Sequence, residues 1–463
     1  MKRDACTWVK ALISAAAVTF LLTAGWSQNA PRLILLLPLP GFDSSEALSV
    51  SANGLTVSAN GLTVVGNSFK DRRQQQRAVY WQIAGNNDPV FAQLLDSPDP
   101  NAAFSAAFDV SANGEFAVGF VQTSQGLRAV RWTVGSTGTV LPVPPSTENT
   151  VAFAISAAGN VVAGRAGAFT PGNFGDFLGG ILDQGSAVRW HSSSIIPEVL
   201  PGIEEANRTA AAAVSDDGSI LAGASGTGDD LNNLNLVAVV WEGVNGPRVI
   251  PERARGFAQS TVLDCSPYGN AFVGISFNDT QNYIASYWTD EGQFVQLTST
   301  DNAPSLARRI SGDGSEIVGQ IGTFDAGNAY LWRFRDGRVE EQIDLNTLVQ
   351  PLPPGVTLET AFGISPNGRF IVGRAREESF VIGSDGSLII RVRRVGFLLD
   401  RGCPLNADVN RDGVVDDADL LRVLFAFGGR GYTNEDTNWD GIVDDADLLE
   451  VLRRFGDTCP PFP

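Results

Sequence analysis

The stretch VSANGEFAVG, from Val110 to Gly119, places an Asn-Gly pair between two short apolar runs. A tight two-residue turn needs φ > 0, which glycine supplies and asparagine tolerates, so the stretch reads as a β-hairpin. The pattern, an apolar residue, Ser-x-(Asn/Asp)-Gly, then two apolar residues and a second glycine, recurs along most of the chain. Its first glycines are Gly61, Gly114, Gly159, Gly218, Gly269, Gly314 and Gly368. Gly66, Gly119, Gly164, Gly223, Gly274, Gly319 and Gly373 follow five residues later. Spacings of 45 to 59 residues mark one supersecondary unit per repeat. Ala158 and Tyr268 interrupt the turn in units three and five, where a longer loop is expected.

Each unit continues into a strand that ends in tryptophan, at Trp81, Trp132, Trp190, Trp241, Trp288 and Trp332, with Leu399 in that place in the seventh. A fourth apolar run follows most of them, such as VFAQLL from Val90 or TVLPV from Thr139. Four short strands per unit in seven copies is the pattern of a β-propeller, so the expected fold is mainly β, a seven-bladed propeller over residues 31–400. An open β-sandwich array or two separate domains is the alternative. Unit seven lacks a fourth strand, while RLILLLPL from Arg32 is a strand without a unit. The two are expected to pair, closing the ring and removing its free edges. VSANGLT occurs in tandem at Val50 and Val57, which reads as a seven-residue insertion in the first hairpin. Built from Ser-x-Asp-Gly, Val-Val-Gly and Ala-Phe-x-Trp pieces, the repeats resemble the HAF family of extracellular repeats over about residues 39–399, a resemblance that implies little about activity.

The last sixty residues carry a different duplication, DVNRDGVVDDADLLRVLFAFG from Asp408 and DTNWDGIVDDADLLEVLRRFG from Asp436, offset by 28 residues. Read as twelve-residue loops, positions one, three, five and twelve fall on Asp408, Asn410, Asp412 and Asp419, and on Asp436, Asn438, Asp440 and Asp447. Asp416 and Asp444 take position nine, the main-chain carbonyls of Val414 and Ile442 take position seven, and Gly413 and Gly441 make the turn at position six. A hard dication needs six or more oxygens on a tightly curved backbone, which is what alternating oxygen side chains around a glycine provide. Two calcium ions are therefore expected.

Position twelve is Asp rather than Glu, and no amphipathic helix precedes either loop. In these respects the segment resembles a dockerin type I module over residues 403–459, here extended to 403–463 as a small α-helical domain. The resemblance implies one helix after each loop, and Leu420, Leu424 and Phe427, repeated as Leu448, Leu452 and Phe455, are expected to form the stripes on which the helices pack. It also implies docking to a cohesin-like or other cell-surface protein through loop positions ten and eleven and the following helix. Those positions hold Asp417 with Ala418 and Asp445 with Ala446 rather than a hydroxyl pair, and Leu421 with Phe425 is a candidate partner contact. Cys403 and Cys459 bracket the segment and are expected to form a disulfide, worth about 4 kcal/mol in the chain-entropy model.

Lys2, Arg3 and Lys10 flank a short apolar run from Ala11 to Ala24, with small residues at Ala24, Gly25 and Ala30, so residues 1–30 read as a signal peptide cleaved after Ala24 or Ala30. No later run is long and apolar enough to span a membrane, and the expected location is extracellular, cell-surface or periplasmic. The net charge is −18, and Pro404 to Cys459 holds 13 acids against 5 bases. That balance argues against nucleic acid or an anionic membrane as partner.

Residues able to move protons or attack are few. The single histidine, His191, follows Trp190 at a strand end, and Cys265 stands where other repeats carry an apolar core residue. Two residues before the motif serine, units two, five and six carry Asp109, Asp264 and Arg309. On first strands lining a channel these three converge, and paired carboxylates beside a cation are the equipment of a glycosidase. Two readings remain: a secreted calcium-binding protein whose propeller binds a glycan or protein, or a glycoside hydrolase or lyase-type enzyme with a dockerin.

Overall fold

The computed structural model describes residues 31–52, 62–70, 75–83, 90–102, 104–168, 184–228, 234–243, 246–278, 282–298, 303–323, 326–335, 337–349, 351–382, 388–403, 405–431 and 433–459. The expected signal peptide at 1–30, the first hairpin turn with Gly61 and most of the tandem VSANGLT pair lie outside these residues. Seven sheets form a seven-bladed β-propeller, their named strands antiparallel except where Arg32–Leu37 pairs parallel with Val90–Phe91. Blades one to seven open with the inner strands Ser44–Val50, Ser105–Val110, Asn149–Ile155, Arg208–Val214, Gln259–Cys265, Ser305–Ile310 and Val356–Ile364. The outermost strands are short, two residues at Thr139–Val140, except for Arg338–Asp344 in blade six. In blade seven Leu388–Asp400 pairs antiparallel with Arg32–Leu37, Leu36 lying opposite Gly396.

Every inner strand slips register, as between Ala107 and Asp109 or Val262 and Asp264, once in blades one to six and twice in blade seven. This bulge turns the skipped residue toward the axis. Phe108, Phe153, Ala212 and Leu263 so form an apolar plug with Leu48 packed against it. The bulge also explains the second motif glycine. A Cβ on Gly119 would overlap the carbonyl oxygen of Ala106, and the corresponding overlap recurs at Gly66, Gly164, Gly223, Gly274, Gly319 and Gly373.

The Ser-x-(Asn/Asp)-Gly turns differ from the two-residue form expected. Gly114 N–H donates to Ser111 O (2.9 Å), Ser111 N–H donates to Phe116 O (2.8 Å), and only the glycine has positive φ (71°). The connection therefore spans four residues. The Asn113 side chain acts by accepting from the Ser111 hydroxyl (2.7 Å) and Glu115 N–H (3.1 Å), not by adopting φ > 0. Units three and five keep this turn without a longer loop, because Asn160 and Asn270 accept from Ser156 and Ser266 in place of the missing residue.

Two sets of contacts tie blade to blade. Buried indoles reach back to the preceding blade, Trp132 Nε1 donating to Asp96 O (2.9 Å) and Trp241 Nε1 to Pro201 O (2.8 Å). Trp81 Nε1 donates to Leu37 O (2.9 Å) at the end of the N-terminal strand. On the turn face the x residues form a belt around the axis: Ala52 N–H donates to Ala112 O, Ala112 to Ala157, Ala157 to Asp216, Asp216 to Pro267, and Gly312 to Pro366, at 2.7–3.2 Å. Proline has no N–H, so the belt is interrupted after Pro267 and after Pro366.

Gly119→Ala is expected to destabilise the chain by about 3 kcal/mol, since the strand on either side must shift to admit one methyl group. Urea denaturation measures it, and a loss near zero would mean that the bulge relaxes freely.

Candidate functional site

The structure brings Asp109, Asp264 and Arg309 together at the axis. The Arg309 guanidinium lies 2.6 Å from Asp109 and 3.3 Å from Asp264, joining blade six to blades two and five. Each carboxylate also does structural work on the next blade. Asp109 accepts from Ile155 N–H (2.9 Å) and the Ser49 hydroxyl (2.7 Å), and Asp264 accepts from Ile310 N–H (3.0 Å). Their side chains are 5% and 9% exposed, which leaves no face against which a sugar ring could stack. Burial opposes the charge on Arg309, but the two carboxylates more than offset it and hold the guanidinium protonated. Burial is also the main reason that Asp264 is pushed up to about 6.

A third acid, Asp216, was not singled out by its repeat position. It is the x residue of the blade-four turn, and among the belt residues it alone carries an ionisable side chain. Its Oδ2 is buried and accepts no hydrogen bond. Burial, followed by the nearby charges of Asp264, Asp217 and Asp109, pushes it up to about 7. His191 sits half-buried at the end of Ser186–His191. Cys265 is a free, buried thiol that burial pushes well up, which makes it a core residue rather than a nucleophile.

Beyond blade seven the chain forms a module with two helices, which follow the four-residue helix α1 (Leu345–Leu348): α2 (Asp417–Ala426) and α3 (Asp445–Arg454). Cys403 and Cys459 form a disulfide with Cα atoms 5.6 Å apart. The two duplicated loops have matching geometry. Gly413 and Gly441 have φ of 93° and 91°. Asp419 accepts from Asn410 N–H (2.9 Å) and Asp416 N–H (2.9 Å), and Asp447 accepts from Asn438 N–H (3.1 Å) and Asp444 N–H (2.8 Å). Asp416 and Asp444 cap the helices, each in a reciprocal capping box with the carboxylate three residues on. Asp408 takes Gly413 N–H on Oδ2 (3.0 Å), while its Oδ1 is buried and accepts nothing. Asp436 accepts from both Asp440 N–H (3.1 Å) and Gly441 N–H (2.8 Å). Asn410 and Asn438 donate through Nδ2 to Asp412 and Asp440. Among the described residues no group of three or more acidic, imidazole or thiolate side chains forms a ready-made metal cage. The expected ligand set also includes the carboxamides of Asn410 and Asn438 and the carbonyls of Val414 and Ile442, which such a group does not count.

The module crosses over itself. The segment after α3 returns to the first loop, pairing Thr458 with Val414, and the segment after α2 pairs Arg430 with Ile442 of the second. The expected packing stripes need correction. Leu424, Phe427, Leu452 and Phe455 are exposed, and the core is built from Val423, Val451, Val415 and Val443 with Leu420 and Leu448 against them. Position twelve decides this, because Asp419 and Asp447 must turn back into their loops, and their i+4 neighbours Val423 and Val451 then share the buried face. The docking candidates Asp417, Ala418, Leu421, Phe425, Asp445 and Ala446 lie on the exposed face, Phe425 at 87% exposure.

This module rests on the propeller's turn face. Arg411 pairs with Asp313 of the blade-six turn and donates to Pro366 O (3.2 Å) and Asn434 Oδ1 (3.2 Å). Asn367 donates to Asn406, which donates in turn to Thr437 O (3.0 Å). Arg401, almost fully buried, donates to Glu316 and to Gly368 O.

No protein-family model and no curated protein matches the sequence. Among solved structures the chain is similar to TolB from Acinetobacter baumannii at 12% identity, over 74% of this chain and 77% of that one, with a TM-score of 0.37. It is also similar to YCF48 bound to D1 peptide (12% identity, 80% and 95% coverage, TM-score 0.42). A third similarity is to the β-propeller domain of the Trilobed protease from Pyrococcus furiosus (7% identity, 76% and 95% coverage, TM-score 0.44). Among the described residues no helix is long and apolar enough to cross a membrane.

Because Asp216 has a raised pKa in the fold, the native state binds the extra proton between the unfolded value of 3.8 and about 7. Its unfavourable contribution therefore develops as pH rises through that window. Asp216→Asn is expected to raise stability at pH 8 and to change it little at pH 4. Equal effects at both pH values in urea denaturation would show that Asp216 is not desolvated.

Proposed function

We propose that this is an exported, non-catalytic binding protein. In this reading the propeller binds an extracellular glycan or protein, and a dockerin-like, calcium-loaded module at 403–463 docks it to a cell-surface or complex partner, cohesin-like or other. The observation that carries the reading is Asp408, 4% exposed, with an oxygen that has no donor inside its loop. A buried carboxylate oxygen left without a partner is costly, and a cation met by other oxygens removes the cost.

The donor set fits the ion. Asp408, Asn410, Asp412, the Val414 carbonyl, Asp416 and Asp419, and their counterparts in the second loop, are all hard oxygen donors of the kind calcium takes. Calcium would supply charge neutralisation to an acidic segment and fix the curvature of each loop. The residues themselves tie each loop to its helix through the capping boxes, so loop and helix order together. The pairing of Arg32–Leu37 with blade seven, and the Trp81 bond to Leu37, support a closing role for the N-terminal strand. The hydrolase reading is the weaker one, because Asp109 and Asp264 are spent on backbone N–H groups and Arg309.

Calorimetry on the full chain is expected to find two calcium ions bound, and Asp419→Asn one. No uptake by the unaltered chain rejects the reading. Leu421→Asp combined with Phe425→Asp is expected to keep calcium uptake while removing retention on an isolated cell-surface fraction. Unchanged retention would take the docking role away from this helix face.

A further inference from the structure

Apart from position twelve, the candidate ligands of each loop stand at odd positions, and an even position between them is linked to the propeller, directly in the first loop and through Asn406 in the second. In the first loop Arg411, at position four between Asn410 and Asp412, reaches out to Asp313, Pro366 O and Asn434. Its φ of 60° is matched by Trp439 (59°) at position four of the second loop, so this left-handed conformation belongs to the loop itself. In the second loop Thr437, at position two between Asp436 and Asn438, offers its carbonyl to Asn406 and its hydroxyl to Asp447 (3.2 Å). Asn406 is in turn held by Asn367 of the blade-seven turn. Asp313 is suited to this contact: burial alone would raise it, but Arg411 and the hydroxyls of Ser311 and Ser315 hold it below the usual carboxylate range.

We infer that calcium loading and docking of the module onto the turns of blades six and seven are coupled through Arg411, an inference that rests on the calcium reading above. Adjacent backbone positions cannot be ordered separately. Arg411 is held by Asp313 while its neighbours Asn410 and Asp412 are hydrogen-bonded to each other within the loop, so drawing those two onto an ion and holding Arg411 act on one short stretch of backbone. Linkage requires the effect to be reciprocal. Seam formation strengthens calcium binding by the same factor by which calcium strengthens the seam.

Arg411→Ala distinguishes this from simple electrostatics, since removing a cation beside the loop would by Coulomb's law alone tighten calcium binding. The coupling has the opposite sign, and one of two sites is expected to weaken about five- to tenfold. Asp313→Asn, which alters only the propeller, is expected to act likewise. Asn occupies the same turn position at Asn113 and Asn367, so the turn itself is kept.

The experiment is calcium calorimetry on the full chain and both variants, with amide hydrogen exchange of residues 312–316 and 366–370 measured with and without calcium. Support is a calcium-dependent gain in protection at those turns that both variants lose, together with the weakened site. If the chain binds calcium but the turns exchange at the same rate with and without it, or Arg411→Ala binds both ions at least as tightly, the coupling is wrong and the calcium reading stands. If the unaltered chain takes up no calcium, both fall.

Discussion

Seven inner strands must approach one axis, and the chain solves the crowding by pressing a main-chain carbonyl against a glycine Cα in every blade. The bulge that makes this approach sends one side chain into the axial plug, and in blades two, five and six the next one joins the ion pairs at the axis. Most of the blade repeat follows from that geometry. The second motif glycine is needed for the close approach, the serine satisfies the first N–H of the returning strand, and the x residue is left on the rim where it meets its neighbour. Tryptophan then reaches the preceding blade with a buried ring and a satisfied N–H, so each repeat supplies half of two interfaces.

Periodicity made the blades legible. The two motif glycines recur five residues apart because the second serves the same close approach in every blade, and a terminal tryptophan recurs in six of the seven. The turn was read with the right residues and the wrong roles, since asparagine and glycine point to positive φ for both, whereas Asn113 works through its side chain. Asn160 and Asn270 replace it from two positions further on, a substitution invisible to a pattern of fixed spacing.

The axial residues show a different limit. Asp109, Asp264 and Arg309 were identifiable as polar departures at one repeat position, but whether such a trio is chemistry or scaffold depends on what each oxygen accepts. Asp216 has no signal of its own in the sequence, because its turn position varies between repeats, and only the belt places it on the turn face around the axis. In the module, the leucine and phenylalanine spacing suggested the buried stripe, and the position-twelve aspartates overrule it. A helix that must return a carboxylate to its loop does not choose its face by hydrophobicity alone. The contacts of Arg411 with the propeller had no signature in the sequence, because they reach a main-chain carbonyl 45 residues away and one acid about twice as far.

The interruptions at Pro267 and Pro366 divide the turn-face belt into a five-member arc and a two-member arc, and the module holds the shorter one. Arg32 lies opposite Asp400, so both ends of the propeller chain leave from neighbouring strands of one sheet. Tension between the module and the Arg32 end would run through that sheet as shear along the Arg32–Leu37 ladder, loading several hydrogen bonds at once, while blades two to five stand outside the line of force.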